Sequence, residues 1–161
     1  MKLTLLAPFV LAAALAGPAL AQVPQYGANV SQDQARKALA AAMAEVKRQN
    51  LPPMAVAVVD NAGQLVAFER MDNTQSGSIA VSQDKAVSAA MFRRPTKVFQ
   101  DLVAGGGVGL RILSLRGANA VEGGLPLVVD GKIVGGIGVS GGSSEQDGVA
   151  AKAGADAMAQ R

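Results

Sequence analysis

Apolar and polar residues alternate along this chain with two different periods, and the switches between them mark its elements. Ala35, Leu39, Met43 and Val46 recur at helical spacing, which predicts a helix from Ser31 to about Gln49. Ser31-Gln-Asp-Gln34 has the form of a capping box at its start, and Leu51-Pro52-Pro53 ends it. Met54–Val59 is an apolar run of strand length, Asp60-Asn-Ala-Gly63 reads as a turn, and Gln64–Arg70 returns as a second strand. The polar run Asp72–Ser78 is expected as a loop, followed by an Ala-rich helix from about Ile79 to Phe92. Pro95 suits a first helical turn and opens another helix through about Val103. After the glycine-rich loop Gly105–Gly109, the apolar run Leu110–Leu115 is expected as a third strand. Leu125–Val129 and Lys132–Ser140 then flank Asp130-Gly131. Asp-Gly between two apolar runs is a strong hairpin signal, because a two-residue type I′ turn needs positive φ at both central positions. A last helix runs to the C-terminus, with Ser144 and Asp147 at capping spacing. Hairpins and helices in this order predict a mainly antiparallel sheet with helices packed on it.

The second strand of the last hairpin has an unusual face. Val134, Gly136, Gly138 and Ser140 share one side, while Ile133, Gly135, Ile137 and Val139 share the other. Glycines weaken a strand, so several on one face mark a close approach of another backbone or of a ligand. Two readings stand here. A helix packs tightly on Gly136 and Gly138, or a flat ligand lies against them.

The N-terminus has the form of a secretory signal. Lys2 supplies the positive charge, Leu3–Leu15 the short apolar core, and Ala19-Leu20-Ala21 an A-x-A cleavage site before Gln22. That core is too short for a transmembrane span. Residues 1–21 are therefore expected to be removed, leaving residues 22–161 as one domain in the periplasm or outside the cell. The formal charge is only +3, from 15 Lys and Arg against 12 Asp and Glu, and aromatics make up 3% of the chain. Neither a basic patch nor a stacking platform for nucleic acid follows from this.

The chain contains no histidine and no cysteine. The preferred ligands of zinc, copper and most haem irons are thus missing, as is the usual proton shuttle at neutral pH. No metal-ligand set is expected. Several motif matches lose their chemistry for the same kind of reason. Gly136-Ile-Gly138-Val-Ser-Gly141 matches the dinucleotide fingerprint, but the helix, second strand and acidic residue it requires do not fit before Arg161. Gly138-Val-Ser140-Gly-Gly142 matches a nucleophile elbow, which needs a histidine. Ser82-Gln-Asp-Lys85 matches S-x-x-K without its companion motifs, so a plain helix surface is expected over a Ser–Lys pair. Glu145 and Asp147 read as helix N-terminal acids, and Asp60 and Asp130 as turn residues.

Arg93-Arg94-Pro95-Thr96-Lys97 is harder to explain by folding alone. Cations at a helix start oppose its dipole, so helix stability does not ask for them. A carboxylate-bearing ligand or an acidic partner would; a solvated junction between two helices is the alternative.

Taken together, these residues resemble the GlcG/HbpS-like family, also called the haem-degrading domain family. The matching pieces are Val56-Ala-Val-Val-Asp60 with Gly63, Phe68-Glu-Arg70-Met-Asp72, Asp84-Lys85-Ala86, and Phe92 with Arg94-Pro95-Thr96. The longest match runs from Gly123-Gly-Leu-Pro126 through Gly135-Gly-Ile-Gly-Val-Ser-Gly141 to Gln146-Asp147. The resemblance implies an α/β (α+β) fold, a profilin-like three-layer α/β/α sandwich with a five-stranded antiparallel sheet, usually in a homo-oligomer. It also implies binding of haem or a corrinoid, a flat anionic small molecule, by an exported protein. On that reading Gly136, Gly138 and Ser140 receive the ring and Arg93, Arg94 or Lys97 meets its carboxylates, while an oxygen of Thr96 or Tyr26, a methionine sulfur or water is left to ligate its metal. A small haem-degrading enzyme and a non-catalytic periplasmic assembly module are the alternatives. Because this chain lacks histidine, no histidine ligand carries over.

Overall fold

The computed structural model describes residues 23–159, so the signal-peptide expectation lies outside the described residues. Helix α1, Gln32–Arg48, starts on the capping box read from the sequence: the Ser31 hydroxyl accepts from the Gln34 N–H, and the Gln34 side chain accepts from the Ser31 N–H. Strands β1 (Ala55–Asp60) and β2 (Leu65–Arg70) form the first hairpin. The Asp60 carboxylate closes its turn by accepting from the N–H groups of Ala62 and Gln64. Helix α2 covers Gly77–Phe92 and α3 covers Thr96–Ala104. The final hairpin pairs β3 (Gly124–Val129) with β4 (Lys132–Ser140). Its Asp130 and Gly131 both take positive φ, 50° and 73°, as the type I′ turn requires. Helix α4, Ser144–Ala159, completes the fold.

Among the described residues the sheet is antiparallel with four strands in the order β2-β1-β4-β3, not five. Of the run Leu110–Leu115, expected as a strand, all but the C-cap Leu115 lies within a 3₁₀ helix, Gly107–Ser114. Gly106 and Gly107 take positive φ and fold the chain back on α3, so closely that a Cβ on Gly109 would collide with the Leu102 carbonyl. The run therefore never reaches a sheet edge. Of its apolar residues only Ile112 is buried; Leu110 and Leu113 stay exposed.

Helices cover both faces of the sheet. On one, Val56, Val58, Ile137 and Val139 pack with Ala35, Ala38, Leu39 and Ala42 of α1 and Ala150 and Ala151 of α4. On the other, Ala57 and Val59 meet Ala86 and Ala90 of α2. Alternation along β1 and β4 sends successive residues to opposite layers, which is why both strands read as unbroken apolar runs. Small residues set the spacing of this second layer. A Cβ on Gly136 or Gly138 would strike the α2 carbonyls of Ala86 or Ser82. The glycine face of β4 is thus filled by a helix, and this is a correction to the ring-receiving role of Gly136, Gly138 and Ser140. Ser140 is buried as well, 3.2 Å from the Ser78 hydroxyl of α2.

Candidate functional site

A cleft lies at the other side of the last hairpin, where β3 forms a sheet edge. Its volume is about 570 Å³, within the range of small-molecule sites. Leu125, Pro126 and Val128 of β3 and Ile133 of β4 give it apolar walls, with Gly123 and Gly124 at one end. Arg93, Pro95 and Lys97 line it from the α2–α3 junction, and Gly148, Lys152 and Asp156 from α4. Pro24 and Glu122 complete the rim.

Pairing explains why this edge is open. The Val139 N–H donates to the Gly123 carbonyl, so the alternation of an antiparallel ladder turns the backbone groups of residues 124 and 126 away from β4. Thr96 uses those of Gly124: its buried hydroxyl accepts from the Gly124 N–H at 2.9 Å and lies 3.5 Å from the Gly124 carbonyl. Pro126 has no N–H to offer. An added strand would find few partners along this stretch, while an apolar ligand needs none.

The sequence-predicted cations separate here. Arg93 closes α2 in the left-handed region, φ 54°, and lines the cleft with its guanidinium 5.4 Å from the Tyr26 ring centroid. Lys97 lines it too, half exposed, 2.8 Å from Asp101 and 3.9 Å from Glu122. Asp101, first among its partners, holds the Lys97 ammonium above its usual pKa. Arg94 instead donates to the Phe92 carbonyl and sits over the Phe99 ring at 5.6 Å; it does not line the cleft. Thr96 is fully buried and spends its hydroxyl on the strand edge, which corrects its assignment as a ligand-binding hydroxyl. Tyr26 donates to the carbonyls of Ala90 and Met91. Lys152 was not singled out by sequence, since a lysine at helical spacing in α4 looks like any solvated one; it pairs with Asp156 at the cleft wall.

Behind the Gly123-Gly124 end lies a second feature. Lys85 is 1% exposed and Asp147 4%, and the Lys85 Nζ lies 2.8 Å from Asp147 Oδ2 and 3.1 Å from the Val139 carbonyl it donates to. The other Asp147 oxygen accepts from the Gly142 N–H at 2.9 Å. Burial pushes the Asp147 carboxyl above its ordinary pKa, with Lys85 and the Gly142 N–H acting in the opposite direction. Asp147 thus points inward, and the cap of α4 shifts by one residue: Ser143 and Gln146 make the reciprocal capping pair, not Ser144 and Asp147. Lys85 is no surface residue and its amine no free nucleophile, while the Ser82 hydroxyl donates to the Ile79 carbonyl. Among the described residues no cluster of three or more acidic groups is placed to hold a metal ion.

Residues 30–156 match the family described as haem degrading protein HbpS-like. The chain belongs to the HbpS-like family. It is 38% identical over 111 residues to Protein GlcG of Escherichia coli K12, covering 69% of this chain and 81% of GlcG. Among solved structures, HbpS superposes with a TM-score of 0.75 at 28% identity, covering 92% of this chain and all of that one. The structure named as a PduOC haem complex superposes with a TM-score of 0.71 at 28% identity, covering 82% of this chain and 99% of that one. The overall fold of this HbpS-like chain is thus shared with these neighbours, and haem accompanies one of them.

Proposed function

We propose that this HbpS-like protein binds haem or a related tetrapyrrole, a flat anionic molecule, in the cleft along β3. The observation that carries the reading is the combination in one place of apolar walls and an excess of cations, Arg93, Lys97 and Lys152 against Glu122 and Asp156. Burial of the ring against Leu125, Pro126 and Val128 supplies the main driving force, and the cations pair with the ring's carboxylates. These residues fit the periphery of such a ligand. They offer its metal no histidine or cysteine, and neither Tyr26 nor any methionine lines the cleft. Retention then rests on ring burial and charge pairing. The bound iron would supply the redox chemistry for the haem degradation that the family description names; Arg93, Lys97 and Lys152 orient the ring and β3 keeps water from its face. A profilin-like layering of helix, sheet and helix, with the cleft at the sheet edge, is the scaffold on this reading.

Titrating haemin into the protein is expected to give a saturable, high-spin type of spectrum. Arg93→Glu and Lys152→Glu should each weaken binding about tenfold or more, the scale of one charge-assisted contact. Arg94→Glu, outside the cleft, should leave it near the wild-type value. Equal effects at all three positions, or no saturable change, would count against the cleft. Loss of the Soret absorbance on adding reductant in air would assign a degrading enzyme, and a Soret band that shifts to the ferrous form but persists a carrier.

The exposed apolar residues Val98, Leu102, Val108, Leu110 and Leu113 on α3 and the 3₁₀ helix support self-association. Leu113→Glu is expected to lower the mass measured by light scattering, and an unchanged mass would remove that face from the assembly. Export rests on Lys2 and Ala19-Leu20-Ala21. Protein recovered from its own host should have an intact mass beginning at Gln22; a mass that includes Met1–Ala21 would overturn the periplasmic or secreted assignment.

A further inference from the structure

We propose that Lys85 and Asp147 are positioning residues for the cleft, their ion pair holding the Gly123-Gly124 wall in place from behind. This rests on the reading of the cleft as a ligand site. The pair does not touch the cleft and is closed to solvent, so any effect on a ligand must pass through the wall. Three observations show how it would. Val139 donates its N–H to the Gly123 carbonyl while its own carbonyl accepts from Lys85, so one residue links the ammonium to the wall. Gly123, at φ 123°, leaves no space over the pair: a Cβ there would stand 2.8 Å from Asp147 Cβ and 2.9 Å from Lys85 Nζ. Gly124 in turn presses on the Lys85 backbone carbonyl and on Thr96, whose Cγ2 would stand 2.6 Å from a Cβ at that position.

The chemistry of the pair favours positioning over simple stabilisation. Buried ion pairs are often replaceable by apolar residues of similar volume without loss of stability. Apolar side chains cannot, however, satisfy the Val139 carbonyl and the Gly142 N–H, which the pair engages on either side of the wall. Deleting the charges while keeping the volume should therefore leave the fold and loosen the wall.

Lys85→Met/Asp147→Leu tests this, because it leaves no unpaired buried charge. Amide hydrogen exchange is measured on the ligand-free protein. Exchange at Gly124 and Gly142 is expected to accelerate at least tenfold, with the β1 amides of Val56–Val59 unchanged, and haemin affinity should fall at least fivefold. Unchanged exchange at Gly124 and Gly142 would overturn the proposal. So would uniform acceleration that includes β1, which is the signature of a merely structural role. If the wild-type protein fails to bind haemin, the tetrapyrrole reading falls, while the exchange pattern still decides whether the pair positions the wall. Should the double variant fail to fold, Lys85→Met/Asp147→Asn serves instead. It keeps an acceptor for Gly142, so Gly124 alone should accelerate, and protection retained at both glycines would again overturn the proposal.

Discussion

Lys85→Ala is expected to cost about 3–5 kcal/mol, the usual penalty for stranding one member of a buried ion pair. A domain of this size has a total stability on the order of 5–15 kcal/mol, so the variant should unfold at markedly lower urea concentration. The loss has two parts. Asp147 would remain buried at 4% exposure with no ammonium beside it, and the Val139 carbonyl would lose its donor. Asp147→Ala should fall in the same range, stranding the ammonium and the Gly142 N–H. The two losses should not add, because the residues are in direct contact. Urea unfolding of the two single variants and the double alanine variant checks this through the coupling term. A loss below about 1 kcal/mol for Lys85→Ala would place the pair with ordinary surface ion pairs.

That pair shows where sequence reasoning stops. Lys85 occurs in a stripe of small residues, Ser78, Ser82, Ala86 and Ala89, all buried in α2. A lysine in the middle of such a stripe is a signal of a buried amine with a fixed partner, but the spacing says nothing of who the partner is. Asp147 is 62 positions away and carries the ordinary appearance of a helix-start acid. Only the fold of β4 against both helices brings them together. The local elements were far more legible, because each carried its own chemistry: the Ser31 cap, the Asp60 turn, the Asp130-Gly131 turn. Leu110–Leu115 failed as a strand because composition favoured one, while Gly106, Gly107 and Gly109 permitted a fold onto α3 that no β-propensity could oppose.

The basic cluster was half legible for a related reason. Five consecutive residues cannot all face one site when a helix ends and another begins among them. Arg93 sits at the left-handed close of α2 and Thr96 at the first turn of α3, so their side chains diverge. Arg93 and Lys97 reach the cleft, Thr96 turns inward to the strand edge, and Arg94 turns to Phe99. Lys152 joins them from a helix far along the chain. The site is assembled by topology, and a reading of charge runs finds one wall of it only.

Gly138→Ala is expected to be severely destabilising although it adds a single methyl group. The new Cβ would strike the Ser82 carbonyl and stand 2.5 Å from the Ala86 nitrogen. Both are backbone atoms within α2, so no change of rotamer relieves the clash. The whole helix must move off β4, taking Ala86 and Ala90 away from Ala57 and Val59. Overpacking where side chains can adjust costs about 1–3 kcal/mol, and this substitution should reach or exceed the top of that range. Gly136→Ala should behave alike, since its Cβ would meet the Ala86 carbonyl and the Ala90 nitrogen. Gly148 makes the control. A Cβ there meets only the end of the Glu122 side chain, at 2.6 Å, which can swing aside. Because Gly148 lies inside α4, alanine also gains about 0.5–1 kcal/mol of helix propensity. Gly148→Ala should therefore melt at or above the wild-type temperature, while Gly136→Ala and Gly138→Ala fall well below it. Three melting curves decide the matter, and coincident curves would mean that α2 does not lie on the glycine face of β4.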